Sequence, residues 1–65
     1  MKLADYLRKE NLSARDFAGQ IAVTPEAVRL YLRGKRIPRS ETMLAIHLET
    51  RGAVTPDDFY AVGVG

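Results

Sequence analysis

Several features that stabilise or functionalise small proteins are absent from this 65-residue chain. It has no cysteine and a single histidine, His47. Without cysteine there can be no disulfide and no thiolate metal site, and one histidine without grouped carboxylates is too little for a metal centre. We therefore expect a protein without metal or cofactor that depends on its own apolar core. The absence of cysteine also fits a reducing cytoplasm.

Long apolar runs are absent as well. Residues 1–11 mix charged and apolar side chains, so they lack the uninterrupted apolar stretch of a secretory signal. No segment approaches the roughly 20 apolar residues that are needed to cross a bilayer. We expect a soluble, cytoplasmic protein with no membrane partner. Its length allows one domain at most, which buries only about 60% of its unfolded surface and is marginally stable.

The positive charge of the chain is concentrated in one short stretch. The net charge is only +2, but no acidic residue interrupts the sequence between positions 29 and 39. The cations of this stretch are Arg29, Arg33, Lys35, Arg36 and Arg39. A local basic patch on a nearly neutral domain is typical of proteins that bind polyanions.

Apolar residues at helical spacing predict a first helix near residues 2–10, with Asn11 as its end. Ser13 with Asp16 three residues later has the pattern of a capping box at the start of a second helix. Phe17 and Ile21 would supply the buried side of that helix. The first third of the chain is therefore expected to form two short helices.

Thr24, Pro25 and Glu26 form a strong start signal for a third helix. Threonine is a preferred N-cap, proline fits the first helical position, and an acid is favoured at the positive end of the helix dipole. Gly34 is expected to end the helix, and the segment after it, with Pro38, to form a loop. The third helix is thus predicted to run from Thr24 to about Arg33.

Two more helices are predicted after the loop. Ser40 is expected to cap a fourth helix that ends at Gly52, and Thr55–Pro56 to start a last turn that carries Phe59 and Tyr60. The sequence therefore predicts an all-α domain of five helices over residues 1–60, followed by a short tail at 61–65 whose order the sequence leaves open.

The predicted third helix has two different sides. At about 100° per residue, one side collects Thr24, Val28, Tyr31 and Leu32, and the other collects Glu26, Arg29, Leu30 and Arg33. The first side is suited to docking on a core and the second to contacting DNA. Two short helices joined by a tight turn and followed by a basic loop are also the layout of a helix-turn-helix.

In this arrangement the chain resembles the Cro/CI-type helix-turn-helix repressors of phages and bacteria. The residues that carry the resemblance in the first part are Ser13, Phe17, Ala18, Ala22, Val23, Thr24, Val28, Tyr31, Leu32, Gly34, Lys35, Arg36 and Pro38. Those in the second part are Met43, Ile46, Thr50, Gly52, Val54, Thr55, Pro56, Asp58 and Phe59. The resemblance therefore covers nearly the whole chain.

The resemblance implies a site in two parts. Contacts to base edges would come from Pro25, Glu26, Arg29 and Leu30, with Arg29 on guanine, Glu26 on a cytosine amino group and Leu30 on a thymine methyl. Contacts to phosphates would come from Arg33, Lys35, Arg36 and Arg39.

The sequence departs from the family pattern at two positions. Ala22 stands where the turn usually has glycine, so the backbone there must avoid a left-handed conformation or accept strain. Ala14 stands where a phosphate-contacting glutamine is common, and Arg15 is a candidate substitute.

Other conspicuous residues have simpler explanations. Phe17, Val28, Tyr31, Ile46 and Phe59 are expected to form the core. The acids Asp57 and Asp58 are explained by a helix start, and no nucleophile has a base beside it, so the sequence gives no reason to expect an enzyme. His47 is expected to be a partly exposed helix residue.

Leu44 and Leu48 lie one turn apart and away from the core stripe of the fourth helix. They are ordinary surface residues or the contact surface of a homodimer.

These features predict a DNA-binding transcription regulator, most simply a phage-type repressor that binds a palindromic operator as a dimer. Two alternatives remain open. The chain could be the DNA-binding antitoxin of a toxin–antitoxin pair, with Leu44, Leu48 and the tail on the toxin. It could also be a protein-interaction module whose third helix binds an acidic partner.

Overall fold

A computed structural model describes the backbone of residues 1–64 and the side chains of residues 1–60. The helices in chain order are α1 (Leu3–Lys9), α2 (Ala14–Gln20), α3 (Pro25–Leu32), α4 (Ser40–Glu49) and α5 (Pro56–Val64). Over the described residues the fold is all-helical, without a β-strand. The predicted all-α class and the number of helices are therefore confirmed.

The start of α2 follows from a local hydrogen-bond pattern in the sequence. The Asp16 backbone N–H donates to the Ser13 hydroxyl at 3.1 Å, and the Ser13 N–H donates to the Asp16 carboxylate at 3.3 Å. This is the reciprocal capping box that the sequence predicts, closed here by the shorter aspartate side chain.

The first four helices end in the same way. In each, the residue after the C-cap has a positive φ, and the next N–H bonds back to a carbonyl of the last turn, as from Leu12 to Leu7 at 2.8 Å. The residues with positive φ at these ends are Asn11 (55°), Ala22 (59°), Gly34 (72°) and Arg51 (55°). Glycine adopts this conformation without strain, so the alanine and the arginine carry a conformational cost.

Two predicted boundaries of α4 are wrong. Ser40 is the first residue of the helix and not its cap; Arg39 occupies the cap position with an extended backbone and makes no side-chain cap hydrogen bond. Pro38 before it is buried, so the loop is anchored there and the helix begins directly after Arg39. At the other end the left-handed position falls on Arg51, and Gly52 (φ 80°) follows it.

One continuous core joins the helices. Phe17, Val28 and Ile46 are fully buried at its centre, with Tyr31 and Phe59 nearly so, as predicted. The core-residue prediction from the sequence omits Val54, which lies in the α4–α5 connection and is buried. Thr50 is also buried; its hydroxyl donates to the Ile46 carbonyl at 2.7 Å and accepts from the Val54 N–H at 3.2 Å.

The start of α5 is fixed by Asp58. Its carboxylate accepts from the Thr55 backbone N–H at 2.8 Å and from the Thr55 hydroxyl at 3.1 Å. The Met1 ammonium donates to the same carboxylate at 3.1 Å. The helix continues beyond the single turn expected from the sequence. The side chains of residues 61–64, and residue 65, which the sequence assigns to a tail, lie outside the described residues.

The helices of the described part are short. None of them combines the length and the apolar composition that would be needed to cross a membrane.

Candidate nucleic-acid interface

The candidate interface is built around the start of α3. The Thr24 hydroxyl accepts a hydrogen bond from the Ala27 backbone N–H at 3.2 Å, and Pro25 occupies the first turn. The first backbone N–H groups of a helix have no partner within the helix. The threonine hydroxyl accepts from one of them and the proline has no N–H to be left unpaired, as the sequence predicts. The beginning of α3 is therefore fixed by its own residues.

One side of α3 holds it to the domain. Val28 is fully buried, and Ala27 and Tyr31 are nearly so. The Tyr31 ring meets the Phe59 ring edge to face, with centroids 6.3 Å apart. The most extensive helix–helix packing among the described residues is between α2 and α3. This packing limits the rotation of α3 about its axis and fixes which residues point outward.

The opposite side of α3 is open to solvent. Glu26, Arg29 and Arg33 are exposed, whereas Pro25 and Leu30 are half-buried. The structure thus brings the four candidate base-contacting residues onto one surface, with the charged pair outermost. Leu30 presents only part of its side chain to solvent.

A basic segment continues directly from the end of α3. Arg33, Lys35, Arg36 and Arg39 are all exposed, and Gly34 turns the chain with its positive φ. The Lys35 backbone N–H bonds to the Leu30 carbonyl at 3.0 Å, so the segment is joined to the last turn of α3. The backbone that carries the four cations is therefore held beside the exposed side of α3.

Arg36 and Arg39 also line a hollow of about 320 Å³ next to α3, together with Ala27, Ile37 and Thr42. The sequence analysis did not single out Ile37 or Thr42. The sequence does mark Ile37, because it is an apolar residue inside a basic loop. In the structure 41% of its surface is exposed. Both residues line the same hollow as Arg36 and Arg39.

Arg15 belongs to a different element from the other cations. It is exposed in the first turn of α2. Since α2 packs on α3, Arg15 is carried by the same two-helix unit as the outward side of α3.

Electrostatically, the surface is basic with one exception. Glu26 is the only acidic residue between Asp16 and Glu41, and it lies among the cations of α3 and the loop. Its Oε2 atom is 3.9 Å from the Arg29 Nη1 atom. The arrangement suits a polyanion of regular shape, with one acidic group at a defined point of the surface.

A separate apolar surface lies on α4. Leu44 and Leu48 are 58% and 67% exposed, as the sequence predicts, and His47 between them is exposed as well. Beside them a hollow of about 530 Å³ lies between α4 and the start of α5, lined in part by Met43, Leu44 and Tyr60. This surface contains none of the candidate base-contacting residues of α3, but its hollow is also lined by Arg39, one of the candidate phosphate-contacting residues.

No cluster of three or more histidine, aspartate or glutamate side chains that could hold a metal ion occurs within the described part of the chain. Comparisons with protein-family models, with curated proteins and with solved structures found no match to this chain. The features of this chain that bear on function are therefore the geometry and charge of the α2–α3 unit and of the basic segment.

Proposed function

We propose that this chain is a sequence-specific binder of double-stranded DNA and a transcription regulator of the Cro/CI helix-turn-helix type. The observation that carries the proposal is the division of α3 into a buried side with Val28 and Tyr31 and an exposed side with Glu26 and Arg29, beside an exposed basic segment. In this proposal α2 and α3 form the helix-turn-helix, and α3 enters the major groove.

The exposed side of α3 supplies sequence choice. Arg29 donates two hydrogen bonds to a guanine edge, Glu26 accepts from a cytosine amino group, and Leu30 packs on a thymine methyl. Pro25 lies at the tip of α3 that goes deepest into the groove. These contacts are few, so they select a sequence more than they provide affinity.

The basic segment supplies affinity and register. Arg33, Lys35, Arg36 and Arg39 lie against phosphates on the groove wall, and Arg15 contacts the backbone from α2. Each neutralised phosphate releases counterions, so binding falls steeply with salt. Bound in this way over a promoter in the cytoplasm, the protein represses by excluding polymerase.

A palindromic operator requires two copies. The described chain measures 27 Å along its longest axis, whereas successive major-groove faces on one side of the duplex are about 34 Å apart. One copy presents one α3 and therefore covers one half-site. We propose that a homodimer, at least on DNA, covers both.

An antitoxin function is the second candidate, and the exposed Leu44 and Leu48 favour it. In an antitoxin the α4 surface binds a toxin chain, and the α3 surface still binds DNA. Co-purification of a second, different chain with the native protein would support this candidate.

Selection of bound sites from random duplex DNA tests the proposal. We expect enrichment of a palindrome with half-site centres about 10 base pairs apart. The double variant Arg29→Ala with Arg33→Ala should enrich a site that has lost its preference at one position of each half-site. The variant Lys2→Ala with Lys9→Ala, which removes the same charge from the α1 region, should enrich the wild-type site. Failure of the wild type to bind any duplex, at low as well as high salt, would refute DNA binding.

A further inference from the structure

Helix α4 is apolar on two opposite sides. Ile46 is fully buried in the core, whereas Leu44 and Leu48 are more than half exposed. At about 100° per residue the two leucines form a stripe nearly opposite Ile46. A helix that is apolar on both sides normally packs against a neighbour on each of them. The core covers one side, and the described elements leave the other open.

Residues of opposite charge stand at the two ends of the leucine stripe. Glu41 lies one turn before Leu44, and Arg51 follows one turn after Leu48, just past the end of α4. Both are exposed, and within the described residues neither takes part in an ion pair. The order along the chain is therefore acid, leucine, leucine, base, with the base just past the helix end.

We propose that this stripe is one half of a two-fold interface in which α4 packs antiparallel to α4 of a second copy. In a two-fold interface, when residue i contacts residue j of the partner, j also contacts i. If Leu44 faces the partner's Leu48, then Glu41 faces the partner's Arg51, because both pairs are centred on position 46. One register therefore satisfies the apolar and the charged contacts together.

The charge order argues for a second copy and for the antiparallel arrangement. A parallel two-fold pair would place Glu41 against the partner's Glu41 and Arg51 against the partner's Arg51. It would also align the two helix dipoles unfavourably. A contact between two identical surfaces needs an order of charges that is complementary to itself, as this one is. Contact with an unrelated protein would not require such an order.

The hollow beside α4 enlarges this surface. Two leucines cover much less than the roughly 800 Å² per partner of a typical stable interface. The hollow of about 530 Å³ adjoins Leu44 and is lined further by Met43, His47 and Tyr60. Side chains of the second copy at the edge of the helix pair would fill it and bury additional apolar area.

The interface adds to the proposed function because a second copy of the chain supplies the second α3. Its role on an operator rests on the proposed function. It can nevertheless be tested without DNA. A wild-type chain that stays monomeric but still binds half-sites would overturn the interface alone. Intact dimerisation without DNA binding would overturn the proposed function alone.

Sedimentation of charge-reversal variants tests the register. Glu41→Arg makes both ends of the stripe positive, and Arg51→Glu makes both negative, so each homodimer acquires like charges at its two symmetric contacts. We expect each variant to dimerise about tenfold more weakly than wild type. An equimolar mixture of the two should restore wild-type dimerisation, because the mixed dimer pairs opposite charges at both ends.

Glu49→Arg is the matched control, since it makes the same charge change at an exposed position on a different side of α4. Its dimerisation should equal that of wild type. Leu44→Glu with Leu48→Glu should give a monomer with unchanged helical circular dichroism. The proposal is overturned if wild type stays monomeric, if Glu49→Arg weakens the dimer as much as Glu41→Arg, or if the mixture restores nothing.

Discussion

Arg29 and Glu26 lie one helical turn apart on the exposed side of α3, with the Arg29 Nη1 atom 3.9 Å from the Glu26 Oε2 atom. Their side chains are 53% and 71% exposed, so solvent screens the attraction between them. Pairs of this kind stabilise a helix by only about 0.3–0.5 kcal/mol. Either side chain can therefore leave the pair for a stronger partner, which a guanine or cytosine edge would provide.

The first prediction concerns Arg29. Arg29→Ala should relax base choice at one position of each half-site and weaken specific binding by about 1–3 kcal/mol, because the bidentate contact to guanine is lost. Binding to random duplex should weaken less, since that binding depends on phosphates. Fluorescence anisotropy on the selected site and on scrambled DNA measures both. Equal losses on the two DNAs would remove Arg29 from the base-contacting set.

The second prediction concerns the single acid in the basic surface. Glu26→Gln removes a negative charge that lies near the phosphates, so binding to scrambled duplex should become several-fold tighter. Preference for the selected site should fall, because the charged acceptor for the cytosine amino group is gone. Glu10→Gln, an exposed acid at the end of α1, is the control. If Glu26→Gln prefers the selected site over scrambled DNA as strongly as wild type does, the role of Glu26 is only to stabilise the start of α3.

The third prediction concerns the basic segment. Lys35→Ala with Arg36→Ala should weaken binding to all DNA sequences and reduce the salt slope by about 0.9 for each lost phosphate contact. Site preference should stay as in wild type because phosphate contacts carry no sequence information. The slope is obtained from affinities measured over a salt series, with Lys2→Ala plus Lys9→Ala as the charge-matched control. A slope equal to that of wild type would show that neither side chain contacts phosphate.

The elements that sequence analysis predicted correctly are those fixed by neighbouring residues. Ser13 and Thr24 cap α2 and α3 because their hydroxyls accept from N–H groups three residues later, so the signal is local. Periodicity likewise identified Phe17, Val28 and Ile46 as buried. Such signals need no knowledge of the rest of the fold.

The elements that were missed depend on contacts between distant segments. The start of α4 lies at Ser40, directly after a loop in which Pro38 is buried, and the burial of Pro38 depends on the rest of the fold. Thr50 and Val54 are buried only because the connection to α5 folds over the core. The base contacts and the dimer stay predictions for a related reason, since their partners are not part of the chain.

The fourth prediction concerns two small residues of the α2 region. Gly19 lies inside α2, where an added Cβ meets no atom within 4 Å, whereas Ala22 holds a left-handed φ of 59°. Gly19→Ala should raise the free energy of unfolding by about 0.5–1 kcal/mol by improving helix propensity. Ala22→Gly should raise it by a similar ~0.5–1 kcal/mol, because relief of strain outweighs the added flexibility of the unfolded chain.

Urea unfolding followed by circular dichroism measures both changes. Gly34→Ala is the control of opposite sign: its φ of 72° should make the alanine variant less stable by about 1 kcal/mol. A loss of stability in Ala22→Gly would mean that the Ala22 methyl group contributes packing that exceeds the strain.

The last prediction concerns acid stability and Asp58. The hydrogen bond from the Thr55 backbone N–H is the main cause that lowers the pKa of this carboxyl below its ordinary value of 3.8, with smaller support from the N-terminal ammonium and the Thr55 hydroxyl, while partial burial opposes the shift. Because the folded pKa is the lower one, the ionised carboxylate stabilises the fold. That contribution is complete above the unfolded pKa and is lost as pH falls through the folded pKa.

Asp58→Asn should therefore lower the free energy of unfolding at pH 7 by roughly 1–2 kcal/mol, because the charged acceptor at the start of α5 is gone. Its stability should also fall less than that of wild type between pH 5 and about pH 2. Asp57→Asn, an exposed acid in the same turn, is the matched control and should keep the acid dependence of wild type. Thermal melts across this pH range give both results. A wild-type acid profile in Asp58→Asn would mean that other carboxylates control the acid transition.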